Sequence, residues 1–108
     1  MYGFKEIAPA DLRADIDAGK KITILDVRNP GETARGIIPG AELMPLHLMP
    51  LKYTELDGDE CYAIYCQGGA RSAQACAYLS QQGFENIYNL QGGIVGWQRS
   101  GLPVVAPQ

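Results

Sequence analysis

The 108-residue sequence lacks several features that would place the protein in familiar classes. No apolar run approaches the ~20 residues that a membrane-spanning helix needs. Lysine and arginine are not clustered as on a nucleic-acid-binding surface, and the formal net charge is only −3. The first residues do not combine a charged start with an apolar segment, so we expect no secretory signal. These absences predict a cytoplasmic protein with neither a membrane nor a nucleic-acid partner.

Cysteine and histidine are also scarce: the chain has Cys61, Cys66, Cys76 and a single histidine, His47. An odd number of cysteines in a reducing compartment argues against a disulfide framework. Cys61 and Cys66 would lie about 16 Å apart along a strand, which is too far for a bridge. There is no CxxC pair, and the histidine is distant from every cysteine in sequence. We therefore expect no metal site and no cofactor.

The apolar pattern predicts strands that alternate with helices. The expected strands are residues 4–7, 22–27, 42–44, 61–65 and 85–90, and the expected helices are 9–18, 72–82 and 94–100, with a helical turn at 32–35 and short helical pieces within 45–56. Residues 22–27 form the nearly continuous apolar run that is typical of a strand buried on both faces. The alternation predicts one α/β domain with a mostly parallel central sheet of about five strands, flanked by helices on both faces.

Residues 62–72, which read Y-A-I-Y-C-Q-G-G-A-R-S, carry the strongest indication of chemistry. A strand leads directly into Cys66, and Arg71 precedes a predicted helix. In an open α/β sheet, ligands bind beyond the carboxyl ends of the strands, where this cysteine lies. Gly68 and Gly69 allow the backbone to curl so that its N–H groups point inward at a helix start. This arrangement binds anions.

Such a loop would also activate the cysteine. A helix N-terminus, inward N–H groups and a nearby guanidinium favour thiolate, so we expect the pKa of Cys66 to fall below about 8.5. An ionised thiol can attack an anionic electrophile without a separate general base. Arg71 would add a permanent positive charge. Cys61 and Cys76 are better interpreted as small buried side chains.

Four motifs in this order resemble those of the single-domain rhodanese family, a family of sulfurtransferases. They are an Asp-x-Arg element, a Gly-His-Ile-Pro-Gly-Ala loop, a Cys-x-x-Gly-x-Arg loop and a Gly-Gly-x-x-x-Trp element, matched here by residues 26–28, 36–41, 66–71 and 92–97. The resemblance covers almost the whole chain. Ile37 stands where the family usually has histidine, and we expect it to pack against apolar surface near the loop.

The resemblance implies a ping-pong transfer of sulfane sulfur through a persulfide on Cys66. The donor would be a small anion such as thiosulfate, and the acceptor would be cyanide, a thiol or a protein. Arg71 would be the second catalytic residue and would orient the donor. Backbone N–H groups of the loop would hold the persulfide and the donor oxygens, namely those of Gln67, Gly68, Gly69, Ala70, Arg71 and Ser72.

Five further residues were weighed for the site region. Asp26 and Arg28 have two interpretations: an ion pair that braces the loop from below, or a pair whose arginine lies near the donor. Glu32 and His47 are expected at the surface without a role. Trp97 is expected in the core.

Two other functions stay open. A persulfide carrier or partner-binding module with little thiosulfate turnover would need the same Cys66. A cysteine-dependent phosphatase or arsenate reductase also places a thiolate in an anion loop that ends in arginine. Those loops typically have one residue more between cysteine and arginine than the four present here. In addition, Tyr65 stands where the tyrosine phosphatases have histidine, so this alternative is less well matched.

Overall fold

The computed structural model describes residues 3–107 and contains one five-stranded sheet. The strands are β1 (Phe4–Ile7), β2 (Thr23–Asp26), β3 (Glu42–Leu43), β4 (Tyr62–Tyr65) and β5 (Ile87–Leu90). Their spatial order is β1-β5-β4-β2-β3, and every neighbouring pair is parallel. The α/β class and the parallel sheet predicted from the sequence are confirmed.

The helices connect the strands. They are α1 (Pro9–Asp17), α2 (Pro30–Thr33), α3 (Met49–Lys52), α4 (Ala70–Gln81) and α5 (Gly93–Arg99), with single 3₁₀ turns at Leu46–Leu48 and Tyr53–Glu55. Helix α4 begins at Ala70, two residues before its predicted start. It can begin there because Gly69 adopts a φ of +112°, a conformation that glycine reaches without steric cost. Within residues 3–107, no helix is both long and apolar enough to cross a membrane.

Alternate residues of the central strands point to opposite faces of the sheet. On one face, Leu25 of β2 lies in a buried cluster with Leu79 of α4. On the other face, Ile24 lies in a second cluster with Leu12 of α1 and Trp97 of α5. Because helices cover both faces, the central strands can be apolar at successive positions. Trp97 is buried in the core, as expected.

The parallel arrangement brings two distant segments to the same edge of the sheet. Asp26, the last residue of β2, is in register with Tyr65, the last residue of β4. The pairing continues for one more residue, since the Val27 N–H donates to the Tyr65 carbonyl at 3.0 Å. The segment after β2 therefore lies directly beside the cysteine that follows β4.

The segment after α5 packs against the chain that follows β2, near this edge of the sheet. Its Val105 forms an antiparallel bridge with Ile37, with N–O distances of 2.8 and 2.9 Å. Ile37 is buried, as expected, and its backbone partner is this tail. A Cβ atom on Gly36 would collide with the Val104 side chain, so glycine permits the close approach of the tail.

Candidate active site

The sulfur of Cys66 lies in a cradle formed by the first turn of α4. Sγ accepts hydrogen bonds from the backbone N–H of Gly69 at 3.0 Å and of Ser72 at 3.4 Å. The Ser72 hydroxyl oxygen is also 3.4 Å away. The cysteine is only 1% exposed. N–H donors directed at a buried sulfur stabilise its thiolate form.

Two opposing effects set the pKa of Cys66. Burial by itself would raise it, but the donors around the sulfur outweigh burial and bring the pKa below its ordinary value. The Ser72 hydroxyl lowers the pKa when it donates its proton to Sγ, and the N–H groups of Ser72, Gly69 and Arg71 lower it as well. Burial raises the pKa of Cys76, which lies in the core beneath α4. Among the three cysteines, only Cys66 combines a lowered pKa with a cradle of donors.

Cys61 differs from expectation because it is only partly buried and precedes β4 instead of starting it. Burial raises the pKa of its thiol. It lies at the amino end of β4, whereas Cys66 follows the carboxyl end. Cys61 therefore belongs to the edge of the sheet opposite the cradle.

Two carbonyl groups at the start of the loop are bound by α5. The N–H of Ile94 donates to the Cys66 carbonyl at 3.0 Å, and the N–H of Val95 donates to the Gln67 carbonyl at 3.2 Å. Gly93 makes this possible, because a Cβ atom there would lie 2.5 Å from both carbonyl oxygens. The Gly-Gly-x-x-x-Trp motif thus supports the cysteine loop from behind.

Arg28 contacts the loop from the side of β2. Its guanidinium donates to the Asp26 carboxylate, with a shortest distance of 2.7 Å, and to the Gly36 carbonyl at 2.7 Å. It also lies 3.4 Å from the Gln67 side-chain oxygen and over the Tyr65 ring. Arg28 is only 3% exposed. Arg28 thus contacts Asp26, Gly36 and the loop at once, and it also lines the pocket beside the loop, so both interpretations of its role stay predictions.

Arg71 has a partner that the sequence analysis missed. Its two terminal nitrogens lie 2.6 and 2.7 Å from the two carboxylate oxygens of Glu32, which had been expected to have no role. The Arg71 hydrogen bonds lower the pKa of Glu32 to about 2, against the opposing effect of burial. Glu32 also accepts from the Asn29 N–H at 3.2 Å, a helix-start contact that its spacing from asparagine could have indicated.

Asn89 of β5 is a second residue that the sequence analysis missed. Its side chain is buried and bonds to the Ser72 hydroxyl and to the Gly69 carbonyl, two groups of the cradle. A single polar residue in an otherwise apolar strand was the available signal. His47, by contrast, is exposed and makes no hydrogen bond to the loop among the described residues.

A pocket of about 420 Å³ opens beside the loop. Its lining is partly apolar, from Ile94 and Val104, and partly polar, from Arg28, Glu32, Arg35, Gln67 and Gln98. Within residues 3–107, no group of three or more His, Cys, Asp or Glu side chains is placed to hold a metal ion. The arrangement as a whole is a cysteine of lowered pKa in a backbone cradle, with a small pocket beside the loop.

Comparison with known proteins agrees with this architecture. A family model described as the rhodanese-like domain matches residues 8–100. A protein of Allochromatium vinosum named sulfurtransferase is 46% identical over 103 residues, which cover 95% of this chain and 96% of that protein. The thiosulfate sulfurtransferase GlpE of Stutzerimonas stutzeri is 35% identical over 100 residues, covering 93% and 90% of the two chains.

The solved structures show the same relationship. A rhodanese-related protein from Thermoplasma volcanium superposes with a TM-score of 0.86 at 40% identity, covering 94% of this chain and 97% of that one. The chain therefore belongs to the rhodanese-like family, as the sequence motifs indicated. Its curated relatives support sulfurtransferase activity.

Proposed function

We propose that the protein transfers sulfane sulfur through a persulfide on Cys66, with thiosulfate as a donor. The observation that carries this proposal is the buried sulfur of Cys66, held by the N–H groups of Gly69 and Ser72 with a lowered pKa. The similarity to a thiosulfate sulfurtransferase supports thiosulfate as the donor. The cysteines are unpaired, which suits the reducing cytoplasm expected from the sequence.

The first half-reaction is a displacement at sulfur. The Cys66 thiolate attacks the outer sulfur of thiosulfate and forms a new S–S bond. The S–S bond of thiosulfate breaks, and its electron pair leaves with sulfite. In the second half-reaction, cyanide or a thiolate attacks the outer sulfur of the persulfide, and Sγ recovers its electron pair as a thiolate. The cycle is balanced without an oxidant, and attack by the thiolate form needs no general base.

The cradle would stabilise the charge that returns to Sγ when the persulfide is discharged. The N–H donors are held in place by α4 and α5 before the reaction begins, so no reorganisation is needed. Arg71 would assist the donor while bound to Glu32. A guanidinium carries five N–H groups, and the bidentate pair uses two of them, which leaves three for an anion.

The experiment that tests the proposal combines mass measurement with turnover. The protein is incubated with thiosulfate, its intact mass is measured, and cyanide is then added to measure thiocyanate. We expect one added sulfur that maps to Cys66, and turnover that is lost in Cys66→Ser. Cys61→Ser is the matched control, since it removes a more accessible thiol, and it should retain both. Absence of the adduct and of turnover in the wild type would refute the proposal.

A persulfide carrier is the second candidate function. Both arginines that contact the loop region are already paired, Arg28 with Asp26 and Arg71 with Glu32, which weakens the attraction for a dianion such as thiosulfate. A carrier would show the sulfur adduct on Cys66 after incubation with an organic persulfide, together with very slow turnover from thiosulfate.

A further inference from the structure

A chain of polar side chains runs beneath the loop from β1 to the sulfur of Cys66. The Ser72 hydroxyl oxygen is 3.4 Å from Sγ and 2.5 Å from Asn89 Oδ1. The Asn89 amide nitrogen is 3.0 Å from a Glu6 carboxylate oxygen and 3.3 Å from the Gly69 carbonyl oxygen. Ser72 and Asn89 are both buried. The chain links the nucleophile to a partner on the far side of β5.

The acceptors around Asn89 fix which end of its amide faces Ser72. The Glu6 carboxylate and the Gly69 carbonyl can only accept hydrogen bonds, so the NH₂ group of Asn89 must face them. The amide oxygen therefore faces Ser72. Since that oxygen is also only an acceptor, the Ser72 hydroxyl must be the donor in this contact.

The Ser72 hydroxyl has one proton and three possible acceptors. They are Asn89 Oδ1 at 2.5 Å, the Gly69 carbonyl oxygen at 3.1 Å and Cys66 Sγ at 3.4 Å. The Gly69 oxygen already receives the Asn89 amide, whereas Asn89 Oδ1 has no other donor among the described residues. The Ser72 hydroxyl therefore donates its proton to Asn89 Oδ1, the nearest of the three acceptors. A lone pair of the hydroxyl, and not its proton, then faces the sulfur.

We propose that Asn89 is a positioning residue of the sulfur-transfer site, which holds Gly69 and Ser72 in place and withholds the Ser72 hydroxyl proton from Cys66. The cradle then stabilises the thiolate through backbone N–H groups alone. The hydroxyl can instead accept a hydrogen bond from the protonated thiol, which opposes ionisation. The effect on turnover rests on the proposed function, but the effect on the thiol itself does not.

Other groups around Cys66 stay constant in the test below. They come from several elements packed around the loop: Arg71 and Cys76 of α4, Glu6 of β1, Glu32 of α2, and Asp26 and Arg28 at the end of β2. None of these residues is substituted. Asn89→Leu also removes the amide contacts with Glu6 and Gly69, so the part of the shift that disappears in the double variant is the part that reports the Asn89–Ser72 contact.

The test measures how the alkylation of Cys66 by iodoacetamide depends on pH, followed by peptide mass so that each cysteine is read separately. The variants are Asn89→Leu, Ser72→Ala and the double variant. Leucine matches the size of asparagine but accepts no hydrogen bond. We expect Asn89→Leu to move the midpoint of the rate–pH curve of Cys66 to lower pH. At pH values below the wild-type midpoint, its alkylation should be about three- to tenfold faster than in the wild type. The shift should vanish in the double variant, and Ser72→Ala alone should not raise the midpoint.

Three results would overturn the proposal. The first is a midpoint that is unchanged or raised in Asn89→Leu, and the second is a shift of equal size in the double variant. The third is a raised midpoint in Ser72→Ala, which would mean that the hydroxyl donates to the thiolate. Ser72→Ala keeps the backbone N–H and decides the proton's direction even if Asn89→Leu fails to fold. If the variants show the expected alkylation pattern but the wild type transfers no sulfur, the proposed function is refuted. The effect of Asn89 on the Cys66 thiol would still hold in that case.

Discussion

Glu32 and Arg71 form a bidentate ion pair between residues 39 positions apart in sequence, with N–O distances of 2.6 and 2.7 Å. Glu32 lies in the short helix α2 after β2, and Arg71 lies in the first turn of α4 after β4. The pair therefore ties together the two segments that leave the same edge of the sheet. It also fixes the direction of the arginine and balances most of its charge.

The first prediction concerns Arg71→Ala. We expect the KM for thiosulfate to rise about tenfold with a smaller change in kcat, because a charge-assisted contact to a bound anion is lost. Initial rates over a range of thiosulfate concentrations measure this. Arg13→Ala, which breaks an exposed ion pair with Asp17 on α1, is the matched control and should leave the KM unchanged. An unchanged KM in Arg71→Ala would show that the arginine does not meet the donor.

The second prediction concerns Glu32→Gln, which keeps a side-chain oxygen for the Asn29 N–H but removes the negative charge. The charge of Arg71 is then unbalanced, so the KM for thiosulfate should fall about threefold at low ionic strength. The gain should shrink as salt is added, since exposed charges are screened. A KM that rises instead would mean that the orientation of Arg71 matters more than its charge.

The third prediction concerns acid stability. Glu32 has a pKa of about 2 in the folded protein, below its ordinary value of 4.5, because Arg71 holds its ionised form. A depressed folded pKa contributes stability above pH 4.5, and that contribution is lost as the pH falls toward 2. The pair is about one-third exposed, so solvent screening reduces the effect to about 1 kcal/mol.

Urea unfolding at pH 7 and pH 3 tests the acid stability of the pair. The free energy of unfolding should fall more in the wild type than in Glu32→Gln, which has no carboxylate to protonate at this position. Equal losses in the two proteins would show that the ion pair contributes nothing to stability.

The fourth prediction concerns Gly93→Ala. An added Cβ would lie 2.5 Å from the carbonyl oxygens of Cys66 and Gln67. Gly40→Ala is the matched control, because Gly40 also has a positive φ but has nothing within 4 Å of the added atom. We expect Gly40→Ala to cost about 1–2 kcal/mol and Gly93→Ala about 2–3 kcal/mol more. Chemical denaturation gives both values.

The same substitution should separate stability from function. Gly93→Ala should also slow the alkylation of Cys66 by iodoacetamide relative to the wild type, because it displaces the loop that carries the N–H donors. Gly40→Ala should leave this alkylation rate unchanged. Equal effects of the two variants on Cys66 would argue that α5 does not hold the cradle.

Local patterns were enough to predict the loop around Cys66. A strand, two glycines, an arginine and a helix start are contiguous, so each acts on its neighbours through short-range geometry. The start of α4 was predicted two residues late, because the positive φ of Gly69 lets the helix begin earlier. The rhodanese-like family was also recognisable from motifs in their order along the chain.

Partners from distant segments could not be predicted in the same way. Asn89 reaches Glu6 only because β5 lies between β1 and β4, an order that the alternation of strands and helices does not determine. The Glu32–Arg71 pair likewise depends on β2 lying beside β4. The tail at Val105 had no periodic pattern from which its bridge to Ile37 could be inferred.

The sequence by itself determined the α/β class, the candidate nucleophile Cys66 and the loop that cradles it, because these follow from local backbone preferences and burial. Only the tertiary structure decided what surrounds that loop: Arg28 and α5 contacting it, Glu32 sharing the charge of Arg71, and Asn89 holding the hydroxyl of Ser72. The physical reason is that hydrogen bonds and ion pairs act over a few ångströms. Their partners are selected by strand order, which brings residues far apart in the chain within that range.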